Sequence, residues 1–164
     1  MQKFCLISLI TLAFFVVAPQ LSRAQGGAKQ GPDVLRDADM EKDSLHNLDV
    51  ARQSFKLRKA YVASLVRCEE IIAGNPTFSK IDEALFIAGK SNLYLADGKG
   101  RQKPSLYVRH DGSEKRTLTS EEFRNEARDY LSLLVNNYPD SRFKDEALEE
   151  LKALGGAKPK ESKP

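Results

Sequence analysis

The sequence is poor in the residues that most often build catalytic and metal centres. It contains two cysteines, two histidines and no tryptophan among its 164 residues. His46 and His110 stand far apart with no motif around either, so no Cys/His cluster has the spacing of a zinc site. No serine lies in the Gly-x-Ser-x-Gly turn that exposes the nucleophile of many hydrolases. These absences predict a protein that is not an enzyme and that holds no metal and no cofactor.

The sequence also lacks a phosphate-binding loop. Gly98 and Gly100 flank Lys99, but they follow a predicted helix, whereas the glycines of a P-loop follow a strand. Adjacent acidic pairs such as Glu69 and Glu70 diverge around a helix, and they are interpreted as solvated faces. No small-molecule substrate is therefore predicted.

A strong excess of one charge is lacking as well. The chain has 26 basic and 23 acidic side chains, a formal net charge of +3. Lys3 and Arg23 are the only charged residues among the first 24, so the remainder has 24 basic against 23 acidic side chains and a net charge of +1. Nucleic-acid-binding domains usually concentrate basic charge, so no nucleic-acid partner is predicted.

The first 24 residues have the pattern of a secretory signal peptide. Lys3 provides the basic start, residues 4–18 are apolar and uncharged, and Ser22-Arg23-Ala24 forms a small-x-small cleavage site. The alternative is a membrane anchor, but the apolar run is shorter than the ~20 residues that a spanning helix needs. We expect cleavage after Ala24 and a periplasmic protein.

The positions of the cysteines argue against a lipid anchor and against a disulfide. Cys5 lies at the front of the leader, and no cysteine stands beside Ala24 to receive a lipid. We therefore expect no direct lipid anchor, so that any association with the outer membrane is peripheral. Cys68 is the only cysteine after the leader, which excludes an internal disulfide. It is interpreted as a buried apolar position, with a redox-active thiol as the alternative.

An internal repeat is the most informative pattern in the chain. The residues Asp-Glu-Ala-Leu occur at 82–85 and again at 145–148, each time six residues after a proline, Pro76 or Pro139. The offset of 63 between these prolines also pairs the apolar residues at 68, 71 and 72 with those at 131, 134 and 135. A helix, a proline turn and a second helix used twice are typical of a helical solenoid.

Apolar residues at spacings of three and four predict five helices. They are expected at residues 44–57, 60–73, 80–96, 120–137 and 141–154. The predicted fold is all-α, a tetratricopeptide-like α-solenoid of about five helices, or two and a half helix pairs, that spans residues 44–154.

Three segments flank or interrupt these helices. A tetratricopeptide unit has about 34 residues, and the excess length of the observed repeat falls in a polar insertion at 97–119. The insertion is predicted to be either a small hairpin around Asp111-Gly112 or disordered. A flexible charged linker is expected at 25–43, and a disordered tail rich in lysine, proline and serine at 155–164.

The predicted repeat core combines small residues, which let helices approach, with larger residues that fill the gaps between helix pairs and prolines that make the turns. Its members are Ala51, Phe55, Tyr61, Leu65, Pro76, Ala84, Leu85, Ala127, Leu131, Tyr138, Pro139, Ala147 and Leu148.

One segment has a more specific pattern. Residues 50–63 read Val-Ala-Arg-Gln-Ser-Phe-Lys-Leu-Arg-Lys-Ala-Tyr-Val-Ala, followed by Arg67-Cys68-Glu69 and by Asn75-Pro76. This segment resembles the later tetratricopeptide repeats of the BamD (YfiO-like) family of outer-membrane assembly factors. That family repeats an alanine, an aromatic residue, a basic turn, Ala-aromatic-Val-Ala, Arg-x-Glu and a Tyr-Pro turn. The resemblance covers about residues 44–154.

The resemblance implies a non-catalytic periplasmic protein-binding scaffold in outer-membrane protein assembly. Its implied partner is the barrel-inserting subunit BamA or a similar protein. Arg67 matches the arginine of the Arg-x-Glu motif, which implies that it faces this partner, and Arg58 lies in the same repeat. The alternative for Arg67 is a surface pair with Glu70, three residues further along the helix.

The chain differs from the BamD-like pattern in three features. Family members are lipoproteins, they contain more repeats, and they lack the insertion at 97–119. The alternative function is that of a periplasmic tetratricopeptide repeat protein of cell-wall or division coordination, similar to the YbgF-like proteins.

Overall fold

The computed structural model describes residues 37–111 and 114–160. The predicted signal peptide, most of the predicted linker and the last four residues lie outside the described residues. Within the described ranges the protein is all-α, which confirms the predicted fold class. Its five α-helices are α1 Ala38–Gln53, α2 Tyr61–Gly74, α3 Ile81–Ala96, α4 Ser120–Asn137 and α5 Lys144–Ala153. No helix in these ranges is both long enough and apolar enough to cross a membrane.

Short elements occupy two of the connections. A π-helical turn, Ser54–Arg58, follows α1 directly, and a 3-10 turn, Pro104–Leu106, lies in the insertion. Strand β1 Val108–Asp111 pairs antiparallel with β2 Glu114–Thr117. Of the two alternatives for the insertion, the structure has the hairpin. Gly112, half of the expected Asp-Gly turn, lies outside the described residues.

The first helix begins six residues before the position expected from the sequence. The Asp37 side chain accepts hydrogen bonds from the backbone N–H groups of Asp39, at 2.9 Å, and Met40, at 3.3 Å. This N-cap satisfies donors that a helix start otherwise leaves unpaired. The prediction of a flexible linker up to residue 43 is therefore wrong for residues 38–43, which are helical.

The start of α4 agrees with its prediction, because Thr119 and Glu122 form a capping box.

The turn between paired helices is built the same way twice. Between α2 and α3, the N–H of Asn75 donates to the carbonyl of Ile71 at 2.8 Å and the N–H of Phe78 donates to Asn75 at 3.0 Å. Between α4 and α5, at the offset of 63 residues, Tyr138 donates to Leu134 at 2.9 Å.

The remaining turn bonds also correspond. The N–H of Ser141 donates to the carbonyl of Tyr138 at 3.0 Å, which matches the bond from Phe78 to Asn75. The third bond runs from the N–H of Ile81 to the carbonyl of Phe78 at 3.2 Å in the first turn. In the second turn it runs from Lys144 to Ser141 at 3.1 Å. The repeat seen in the sequence is thus a repeat of backbone structure.

Helix α3 lies at the centre of the core. Every residue from Glu83 to Asn92 is buried, so α3 is covered on all sides along these three turns. A helix that faces the core on only one side has a polar opposite face, and α3 lacks one in this stretch. Helices α2 and α4 pack against α3 most extensively.

The predicted repeat core is mostly buried. The buried members are Ala51, Tyr61, Leu65, Ala84, Leu85, Ala127, Leu131 and Ala147, while Phe55 and Tyr138 are partly buried against them. Pro76 and Pro139 are exposed, as turn residues usually are.

The prediction is wrong for Leu148, which is 37% exposed. Its repeat counterpart Leu85 is buried because α3 is covered all round, whereas α5 turns only Ala147 and Leu151 fully inward.

The segment that follows α5 packs against α4. The N–H of Lys158 donates to the Ser132 hydroxyl at 2.8 Å, and the Asn136 amide donates to the Lys158 carbonyl at 2.9 Å. The Arg128 side chain donates to the Gly156 carbonyl at 2.6 Å. The predicted disordered tail is therefore wrong for residues 155–160, because polar side chains of α4 bind their backbone.

Candidate functional site

The two arginines predicted to bind a partner are both exposed and lie on different elements. Arg67 lies on α2, where its guanidinium is 2.6 Å from the Glu70 carboxylate. This surface pair is the alternative that the sequence left open, and two exposed partners of this kind contribute little to stability. Arg58 ends the π-helical turn, and no ion pair of its side chain occurs among the described residues.

The connection from α1 to α2 exposes a run of basic side chains. Residues 56–59, Lys-Leu-Arg-Lys, are all exposed, and we call them the basic turn. Lys59 has a left-handed backbone, with φ of 51°, which is uncommon for a residue other than glycine. The N–H groups of Lys59 and Ala60 both donate to the carbonyl of Ser54, and these bonds hold the turn in this conformation.

A partly buried carboxylate holds the insertion against two helices. Glu69 of α2 accepts hydrogen bonds from the hydroxyls of Tyr107, at 2.6 Å, and Tyr130, at 3.1 Å. Tyr107 belongs to the insertion and Tyr130 to α4, so three elements meet at one carboxylate. Beside them Arg109 of β1 is 2.6 Å from Glu126 of α4. We call these five side chains the Glu69 cluster.

The Glu69 cluster has unusual acid–base properties. Burial raises the pKa of Glu69, and the hydrogen bonds from the two tyrosines oppose this rise. Burial and the neighbouring carboxylate raise the pKa of Tyr107 to about 12. The interpretation of Glu69 as a solvated residue is therefore wrong. The sequence held one signal of this cluster, an aromatic residue at position 107 in a largely polar insertion.

A second network joins α1, α3 and α5. The Glu83 carboxylate, 7% exposed, accepts two hydrogen bonds of 2.7 Å from Arg52 and one of 3.0 Å from Arg142. Burial alone would raise the pKa of Glu83, but the hydrogen bonds and charge of Arg52, with the charge of Arg142, outweigh it and lower the pKa. Lys90 of α3 similarly pairs with Glu146, at 3.3 Å, and with Glu150.

This second network is suited to holding helices together and unsuited to proton transfer. Arg52 of α1 lowers the pKa of the Glu83 carboxylate on α3 and so favours its ionised form, while Lys90 of α3 pairs with two carboxylates of α5. Removing one partner of such a pair leaves an uncompensated charge in a buried place. The network therefore fixes α3 relative to α1 and α5.

Cys68 lies in the core with no exposed surface. Burial raises the pKa of its thiol, which keeps the thiol protonated and unreactive. This confirms the interpretation of Cys68 as a buried apolar position.

Across residues 37–111 and 114–160, no three side chains of histidine, cysteine, aspartate or glutamate are grouped as metal ligands would be. In comparisons with known proteins, no family model, no curated protein and no solved structure matches this chain.

Proposed function

We propose that this chain is a non-catalytic, protein-binding scaffold made of tetratricopeptide-like helix pairs. It is exported to the periplasm and works in the assembly of outer-membrane proteins, where it docks to a BamA-like subunit. The proposal joins the resemblance of residues 44–154 to BamD-like proteins with the geometry of the helices.

The repeated turn is the observation that carries the proposal. Three backbone hydrogen bonds recur at an offset of 63 residues, between α2 and α3 and between α4 and α5. The buried positions recur as well, since Cys68 and Leu131 have no exposed surface, and neither do Ala84 and Ala147. Repeats of this kind stack into extended surfaces that bind other proteins.

The docking surface of this proposal lies on the first complete repeat, residues 44–75. On α2, the side chain of Arg67 is exposed. An exposed arginine is a common hot spot of protein interfaces, because its planar guanidinium binds carboxylates with two hydrogen bonds. A partner carboxylate would compete with Glu70 for Arg67.

Co-purification with Arg67→Ala tests this proposal. Truncating an arginine that is buried against a partner's carboxylate costs about 2–5 kcal/mol of binding free energy. The variant should keep its fold, because exposed helix positions usually change stability by less than ~0.5 kcal/mol. It should nevertheless lose the BamA-like partner that the wild-type protein retains from envelope extracts.

Lys152→Ala is the matched control for this experiment. Lys152 also forms a surface pair three residues apart, with Glu149 at 2.7 Å, and it lies on α5 outside the proposed surface. It should keep the partner. Loss of the partner in both variants, or in neither, would contradict a docking role for Arg67. Recovery of Tol or peptidoglycan-synthesis proteins by the wild type, without a BamA-like protein, would favour the role in cell-wall or division coordination.

A further inference from the structure

The basic turn combines several cations with the most exposed large apolar side chain of the described residues. Leu57 is 76% exposed, and the side chains of Lys56, Arg58 and Lys59 surround it in sequence and are exposed as well. Single exposed leucines are ordinary on protein surfaces. A leucine at the tip of a turn and flanked on both sides by cations is a more specific arrangement.

The insertion adds a fourth cation and holds the turn in place. The N–H of Arg101 donates to the carbonyl of Lys59 at 2.9 Å, so the exposed Arg101 lies beside the basic turn. Gly100 allows this approach, because a Cβ at that position would lie 2.6 Å from the Lys59 carbonyl oxygen. Its φ of 96° also favours glycine. The backbones of Lys59 and Arg101 are therefore held next to each other.

These four cations form no ion pair within the described part of the chain, although the charge of Lys56 contributes to the lowered pKa of Glu83. The side chains of Arg58, Lys59 and Arg101 form no ion pair there, whereas three of the four arginines within α1 to α5 are paired with an acid. The acid nearest to Arg101 in sequence, Asp97, is already bound by Lys99 and Arg124. The surface thus presents an uncompensated positive charge.

We propose that the basic turn and Arg101 form a docking surface for an anionic lipid membrane. A bilayer with anionic headgroups attracts each nearby lysine or arginine without requiring a fixed partner geometry. A protruding leucine adds apolar contact when it enters the headgroup region. Lysine is depleted at the centres of protein interfaces, and here two of the four cations are lysines. The basic turn lies within residues 44–75, so Arg58→Glu can affect both proposals, whereas Arg67 of the partner proposal lies outside the basic turn.

Vesicle co-sedimentation with the full chain tests this proposal. The protein should bind vesicles of phosphatidylglycerol and phosphatidylethanolamine more strongly than vesicles of phosphatidylcholine, and added salt should weaken the difference. Each neutralised cation should weaken binding about fivefold, which corresponds to ~1 kcal/mol per Lys or Arg near an anionic surface. Arg58→Glu/Arg101→Glu should therefore remove the preference for the anionic vesicles, and Leu57→Ser should weaken binding with less effect on its salt dependence.

Lys42→Glu/Lys80→Glu is the matched control, with the same change of net charge. Lys42 lies near the start of α1 and Lys80 directly precedes α3, at the ends of these helices opposite to the basic turn and Arg101. The N–H of Ser79 donates to the Glu41 carboxylate at 3.3 Å. Lys42 directly follows Glu41 and Lys80 directly follows Ser79, so the two control positions lie near each other, as Arg58 and Arg101 do.

The control should bind anionic vesicles nearly as well as the wild type. Every variant has the same N-terminal residues, so a contribution from them cancels in the comparison. Equal losses in the two double variants would show a general charge effect and overturn the proposal. Binding to poly-glutamate that depends on Arg58 and Arg101, with no preference for anionic vesicles, would assign the surface to an acidic protein instead.

Discussion

At the scale of single residues, the placement of Glu69 shows how tertiary contacts set the behaviour of an ordinary acid. Its carboxylate is surrounded by Tyr107, Tyr130, Arg109 and Glu126. The two hydroxyls donate to the ionised carboxylate and favour it, whereas burial and the charge of Glu126 disfavour it. Burial is the largest of these effects, so the protonated form is favoured in the folded protein relative to a solvated glutamate.

Glu69→Gln should change the dependence of stability on pH. Below pH 4.5, the ordinary pKa of glutamate, Glu69 is neutral in both the folded and the unfolded chain. As the pH rises above this value, the unfolded chain loses its proton first, and this favours unfolding. The free energy of unfolding of the wild type should therefore fall relative to that of the variant between about pH 4.5 and neutrality, as measured by urea denaturation at several pH values.

Tyr107→Phe is the informative companion to Glu69→Gln. It removes one hydroxyl that donates to the carboxylate, so the pKa of Glu69 should rise further and the pH dependence should become steeper. A stability difference between Glu69→Gln and the wild type that stays constant with pH would show that Glu69 is solvated.

At the scale of elements, small residues on α3 determine how closely α4 can pack against it. Its alanines at 84 and 88 have no exposed surface. At Gly89, α3 lies so close to α4 that a Cβ added to this glycine would be only 2.7 Å from the Leu131 side chain. Small residues on α3 thus allow α4 to approach, and larger ones would force the two helices apart.

Ala84→Phe should destabilise the domain by overpacking. Inserting extra carbon atoms in a well-packed core costs about 1–3 kcal/mol, so the melting temperature should fall by several degrees in calorimetry. Ala73→Phe is the control, because Ala73 is exposed on α2 and should change stability by less than ~0.5 kcal/mol. An unchanged melting temperature for Ala84→Phe would contradict close packing at α3.

The insertion is an element in its own right, and it is attached at several points. Tyr107 and Leu118 are buried in the core. The Gln102 side chain accepts a hydrogen bond of 3.0 Å from the N–H of Ala63 at the start of α2. The insertion therefore contributes to the packing of α2 and α4, although its sequence is largely polar.

At the scale of the whole molecule, the proposed function depends on export. The full-length protein produced in a Gram-negative host should be recovered from the periplasm with Gln25 as its first residue, as measured by mass spectrometry of the intact chain. Ala24→Asp should block cleavage, because the processing site requires a small residue there. An intact Met1 in the wild type, or a lipid attached to the chain, would rule out the predicted processing.

The sequence by itself determined the features that depend on neighbouring residues. Caps, glycine and proline stops and apolar spacing act within a turn or two of helix. They located α2 to α5 to within a few residues, and the repeated Asp-Glu-Ala-Leu motif revealed the repeated turn. The start of α1 was missed although its cap, Asp37, is local, because a charged segment can also be a linker.

Only the tertiary structure decided which polar residues are buried and which apolar ones are exposed. Glu69 meets Tyr107 across 38 residues of sequence, and Arg52 meets Glu83 across 31. Leu148 is exposed although its counterpart Leu85 is buried, and Arg101 lies beside Lys59 through one backbone hydrogen bond. A residue's own pattern cannot predict these outcomes, because burial depends on what the remainder of the chain places next to it.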